Sequence, residues 1–139
     1  MTVELPADYR PSPEEEYMSP MQLEYFRRKL LTWRTELMQE SQETLDNLRD
    51  TSHQEVGDEA DRANRESEHG LELRTRDRYR KLLRKIEQAL ERIDDGSYGY
   101  CEDTGDPIGV GRLEARPIAT LSIDAQERRE MKEKVLADN

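Results

Sequence analysis

Asp58-Glu59-Ala60-Asp61-Arg62-Ala63 lies between two long helical patterns, and reading it as the tip of a hairpin decides the fold. Residues 20 to 52 read as one helix and residues 61 to 94 as a second. A rise of about 1.5 Å per residue gives each a reach of roughly 50 Å. The connection, residues 51 to 60, is short, which makes the two helices antiparallel neighbours.

The first helix carries a full start signal. Ser19 fits the N-cap, Pro20 the first turn and Gln22 the third position, so a capping box is expected. Its seam runs Leu23, Phe26, Leu30, Trp33 and Leu37 in alternating steps of three and four, a coiled-coil pattern. Ser41, Leu45 and Leu48 follow after an extra four-residue step, which reads as a stutter. The facing seam is Ile93, Ala89, Ile86, Leu82, Tyr79, Thr75 and Leu71. Both seams thin toward the tip, and the outer part of the hairpin is expected to be the less stable.

Composition agrees with an extended helical shape. Of 139 residues, 33% are hydrophobic and 39% charged, too little apolar material for an ordinary globule of this length. The net charge of −10 argues against sequence-independent nucleic-acid binding. It does not exclude a local basic face. Residues 46 to 68 carry eight acidic and three basic side chains; residues 74 to 92 carry eight basic and three acidic. The simple reading is a solvated, ion-paired surface. The sharper one is an acidic tip with a basic flank that meets an acidic partner. No bilayer-spanning run and no leader pattern are present, so a cytoplasmic protein without a membrane partner is expected.

Residues 1 to 18 hold three of six prolines and read as an arm docked through Tyr9, Tyr17 and Met18. Residues 96 to 121 hold five of the seven glycines, and turns with two tiny strands are expected there. Residues 122 to 137 read as a final helix, with Ser122 as N-cap and Met131, Val135 and Leu136 as its apolar positions.

Tyr98-Gly99-Tyr100-Cys101-Glu102-Asp103-Thr104-Gly105 resembles a zinc knuckle whose second cysteine is Thr104. Leu121-Ser122-Ile123-Asp124-Ala125 resembles the matching knuckle with Ser122 and Ala125 in place of both cysteines. A tetrahedral site needs four nitrogen or sulfur donors. With a single cysteine, the expectation is no metal and no internal disulfide. The spacing of Asp103, Asp106 and His69 adds no ligand set. Such a knuckle must be held by packing, and Tyr98, Tyr100, Ile108, Leu113, Ile118 and Leu121 are the expected core.

Several stretches together resemble the TraR/DksA zinc-finger family of bacterial transcription regulators. They are Glu15-Glu16-Tyr17-Met18, Phe26-Arg27-Arg28, Trp33-Arg34, Asp58 with Asp61-Arg62-Ala63, Leu71-Glu72-Leu73-Arg74, Arg76-Asp77-Arg78, Lys81-Leu82, Lys85-Ile86-Glu87, Gly99-Tyr100-Cys101 and Arg112 to Pro117. The likeness spans about residues 14 to 136. It implies a mostly α fold: a long antiparallel helical hairpin, a small degenerate zinc-finger-like region and a C-terminal helix. It implies a non-enzymatic regulator that enters the secondary channel of bacterial RNA polymerase. There it places Asp58, Asp61 and Ala63 near the active site, destabilising open complexes in synergy with ppGpp. It implies no specific contact with promoter DNA.

Lys85 and Arg116, with Leu82 and Arg78 close by on the helix, match the family's ppGpp contacts; their competing reading is an ordinary salt bridge to Glu114 or Asp94. The competing reading of Asp58 and Asp61 is helix capping. Two departures stand out: a lysine of the family pattern is Gln126, and the zinc-finger cysteines are mostly lost. The second points to a zinc-independent variant with no cofactor beyond ppGpp as effector. The alternatives are a transcript-cleavage factor in the same channel and a generic coiled-coil adaptor. A monomer is expected, because the hairpin satisfies its own seam.

Overall fold

The computed structural model describes residues 3–53 and 59–138, with the side chains of residues 51–62 outside the description. The fold is mostly α. Helix α1 spans Pro20–His53, α2 Glu59–Asp95, α3 Val110–Ala115 and α4 Ile123–Ala137. The chain divides into two compact units. One comprises residues 1–30 and 88–139, the other residues 31–87.

The start of α1 is capped with a variation. The Gln22 amide N–H donates to Ser19 Oγ at 3.3 Å, but Gln22 Oε1 accepts from Met18 N at 2.7 Å rather than from Ser19 N. The Gln22 side-chain amide also donates to Ser12 O at 3.2 Å, so this fully buried polar group is satisfied at both ends. Met18 takes a left-handed φ of 52°, which turns its N–H toward Gln22.

In the unit of residues 31–87, the two helices pair antiparallel. Thr44 and Glu40 both meet the Tyr79 hydroxyl, at 3.2 and 3.3 Å, and Arg49 meets Glu72 at 3.1 Å further out. Leu37, Thr75, Tyr79 and Ile86 are buried there. Trp33, Ser41, Leu45, Leu48 and Leu82 are half-buried. Leu71, expected in the seam, is instead 44% exposed, and its neighbour Leu73 is exposed as well. The seam thins toward the tip, as its composition implied.

In the unit of residues 1–30 and 88–139, Phe26, Leu30, Tyr98, Ile108, Leu113, Leu121 and Ala125 form the core. The Phe26 and Tyr98 rings lie 5.7 Å apart and tilted. Burying an aromatic or branched side chain of this kind contributes roughly 1.5–3 kcal/mol. Three expectations are corrected. No strand forms among the described residues, only one antiparallel bridge between Tyr100 and Pro107. The turn after it winds into the short helix α3. Helix α4 begins as expected, with Ser122 Oγ accepting from Ala125 N, but Met131, Val135 and Leu136 are all exposed. Only Ala125 in the first turn of α4 is buried.

Candidate functional site

The knuckle is built by backbone hydrogen bonds. Cys101 N donates to Asp106 O at 2.7 Å, Gly105 N to Cys101 O at 2.8 Å, and Ile108 N to Gly99 O at 2.7 Å. Glu102 N donates to Thr120 O at 2.9 Å, tying the loop to the chain just ahead of the second half. Gly99, at φ +91°, is required twice over: a Cβ there would lie 2.8 Å from Met18 Sδ. The Tyr17 hydroxyl clasps the same loop, donating to Gly99 O at 2.6 Å and accepting from Gly109 N at 2.9 Å. Tyr98 donates its hydroxyl to Pro117 O at 2.8 Å within the core, and burial pushes that phenol well above its ordinary pKa. Tyr100, expected in the core, is instead 39% exposed, its ring edge-on to Tyr17 at 5.5 Å.

Cys101 is buried at the centre of this loop. Burial is the largest influence on its thiol and pushes the pKa up. The Thr104 hydroxyl and the backbone N–H groups of Ser122, Thr104 and Asp103 donate to the sulfur and outweigh that, bringing the pKa down to about 6. All four knuckle positions therefore meet: Thr104 and Ser122 at the sulfur, and Ala125 through its N–H on Ser122 Oγ at 3.2 Å. This donor set does not fit a tetrahedral zinc. One sulfur is available, Thr104 and Ser122 offer neutral hydroxyls, and Ala125 offers nothing. Among the described residues, no group of three or more His, Cys, Asp or Glu side chains is arranged to hold a metal.

The tip divides. Asp58 lies outside the described residues, as does the side chain of Asp61. Glu59 opens α2, with Asp61 in its first turn and Ala63 exposed at the end of that turn. Lys85 and Arg78 are exposed on α2, and Leu82 is half-buried beside them. Arg78 lies over the Tyr79 ring at 5.8 Å. Arg116 is exposed after α3, in the other unit.

The salt bridge expected for Lys85 or Arg116 does not form among the described residues. Glu114 is engaged elsewhere: Lys29 Nζ lies 3.2 Å from its carboxylate and the Tyr25 hydroxyl donates to it. Among the described residues neither cation has a side-chain partner. Gln126 donates to Glu130 at 3.0 Å along α4. No local pattern marks the Glu114 cluster, because Tyr25 and Lys29 lie far from it along the chain.

A two-helix hairpin joined to a knuckle of zinc-finger form defines a class of bacterial regulator, and the comparisons place the chain within it. Residues 22–93 match the family described as "DnaK suppressor protein DksA, N-terminal domain". Residues 96–130 match "Prokaryotic dksA/traR C4-type zinc finger". The chain is 56% identical over 133 residues to the RNA polymerase-binding transcription factor DksA of Caulobacter vibrioides, covering 96% of this chain and 93% of that one. It is 46% identical over 129 residues to the protein of the same name from Escherichia coli, covering 93% and 85%. The solved structure of transcription factor DksA2 from Pseudomonas aeruginosa superposes with a TM-score of 0.76 at 44% identity, covering 87% of this chain and 94% of that one. The chain belongs to the DksA family.

Proposed function

We infer that this chain is a transcription regulator that binds bacterial RNA polymerase, acts in the cytoplasm and catalyses nothing itself. The observation that carries this reading is the match of both parts of the chain, hairpin and knuckle, to relatives named as RNA polymerase-binding transcription factors. The hairpin enters the secondary channel and brings Asp58, Asp61 and Ala63 toward the active site, where the carboxylates destabilise open complexes. ppGpp acts as effector, its phosphates held by Lys85 and Arg116 with Leu82 and Arg78 alongside. Support comes from chemistry: both cations are exposed and unpaired among the described residues, as phosphate ligands need to be. The knuckle works without zinc, since its donor set does not suit the metal.

The test is open-complex lifetime at a ribosomal RNA promoter with purified polymerase. The native protein shortens it, ppGpp shortens it further, and Asp61→Asn abolishes the effect while polymerase binding persists. Lys85→Ala with Arg116→Ala removes the ppGpp increment alone. If Asp61→Asn shortens the lifetime as the native protein does, the acids are only helix caps. Transcript shortening in stalled complexes would favour the cleavage-factor reading instead.

A further inference from the structure

Helix α4 has little to hold it in place. It spans Ile123–Ala137, 15 residues, a length at which an isolated helix is marginal in water. Ala125 is its one buried residue among those described, and Met131, Val135 and Leu136 are exposed. Packing therefore fixes the first turn and not the direction of the rest. One further contact reaches across. Arg129, one turn beyond Ala125 on the same face of the helix, forks onto the loop of the first half-knuckle. Its Nε donates to Asp103 Oδ2 at 2.8 Å, its Nη2 donates to Asp103 Oδ1, and Nη2 also lies 3.4 Å from Glu102 Oε1. Among the described residues, this fork is the only side-chain hydrogen bonding that ties α4 beyond its first turn to the rest of the chain.

We propose that Arg129, Asp103 and Glu102 form an ionic latch that joins the two halves of the knuckle and sets the direction of α4, a role that zinc fills in a four-cysteine knuckle. The inference stands apart from the polymerase reading. Three observations carry it. The carboxylate is anchored: Asp103 lies in the loop closed by Cys101 N on Asp106 O at 2.7 Å and Gly105 N on Cys101 O at 2.8 Å. The contact is bidentate, the geometry in which an arginine fork and a carboxylate bind with direction as well as charge. Exposed ion pairs contribute little singly, but a bidentate pair with a second carboxylate is the exception. The surroundings also favour the charged form. The Arg129 fork holds the Asp103 carboxyl below its ordinary range, and Arg128 and Lys132 of α4 act in the same sense.

The experiment is amide hydrogen exchange by NMR on the full chain, reading residues 128–136 of α4. Arg129→Gln speeds exchange there about threefold to fivefold, and so does Asp103→Asn with Glu102→Gln. Arginine and glutamine have nearly equal helix propensity, and the two acids lie outside the helix, so neither variant alters the intrinsic tendency of α4 to form. Salt of about 1 M, which screens charges beyond roughly 3 Å, speeds exchange in the native chain and changes the variants little. Asp103→Arg restores the protection that Arg129→Asp removes when the two are combined. The Cys101 and Ile108 amides, hydrogen-bonded within the loop, keep their native protection and certify that the knuckle is folded. Native exchange rates in Arg129→Gln overturn the inference and leave α4 held by Ser122 and Ala125 alone. Faster exchange in Arg129→Gln, with native rates in the folded loop variant, also overturns it, because the effect then arises within the helix. If the loop variant loses Cys101 protection, the charge-reversed pair decides: no recovery over Arg129→Asp overturns the latch.

Discussion

Replacing Tyr98 by Phe tests what holds the knuckle together. Tyr98 is 1% exposed, stacks at a tilt on Phe26, and donates its hydroxyl to Pro117 O at 2.8 Å. Burial keeps that phenol protonated far above neutral pH, so it is a permanent donor. Phe keeps the ring and its packing and removes only the O–H. The Pro117 carbonyl then stays buried without its donor, at a cost of about 1–3 kcal/mol. For a chain of this size that is roughly 3–8 °C in Tm. Calorimetry of the native protein and Tyr98→Phe, each with and without EDTA, separates the contributions. The expected result is a drop for the variant and no change on chelation for either. If Tyr98→Phe melts with the native protein while EDTA lowers both, metal ligation holds the loop and the packing argument is refuted.

Gly99→Ala places a Cβ 2.8 Å from Met18 Sδ at a φ of +91°, and should cost about 1–3 kcal/mol, measured as a lower urea midpoint. Cys101 titrates near 6 in the folded chain against 9.0 ordinarily, so its contribution to stability is full above the ordinary pKa and is lost as pH falls through about 6. The stability gap between native protein and Cys101→Ala therefore narrows from pH 8 to pH 5. A gap that widens toward acid would contradict it, and thiolate absorbance at 240 nm gives the midpoint directly.

The hairpin was legible because its signals are local and periodic. Ser19 and Gln22 mark the start of α1 from four residues, and Phe26, Leu30 and Leu37 face inward by helical spacing alone. Spacing failed where burial depends on what lies across. Leu71 keeps the register yet is 44% exposed, and Met131 and Val135 sit on a helix of which only Ala125, in the first turn, is buried. The partner of Gln22 was missed by one residue, because a left-handed Met18 leaves no mark in the sequence. The basic flank of α2 was visible as charge, but the freedom of Lys85 and Arg116 was not. For Arg116 the neighbouring carboxylate, Glu114, is taken up by Tyr25 and Lys29, residues some ninety positions away.

The knuckle shows why loss of ligands need not mean loss of the fold. A structural zinc supplies an apparent 10–16 kcal/mol in small fingers, which excuses such loops from having a core. Hydrogen bonds to a charged group contribute roughly 1.5–3 kcal/mol each, so the donors around Cys101 recover only part of that. The rest has to come from packing, and Tyr98, Leu113, Leu121 and Ala125 are buried around the loop where a bare finger would have little. The Cys101 sulfur gathers the Thr104 hydroxyl and the Ser122 N–H, one group from each half of the knuckle. The pH series on the native protein and Cys101→Ala reads the consequence: the loop is expected to be tightest when Cys101 is a thiolate and to loosen when it is protonated.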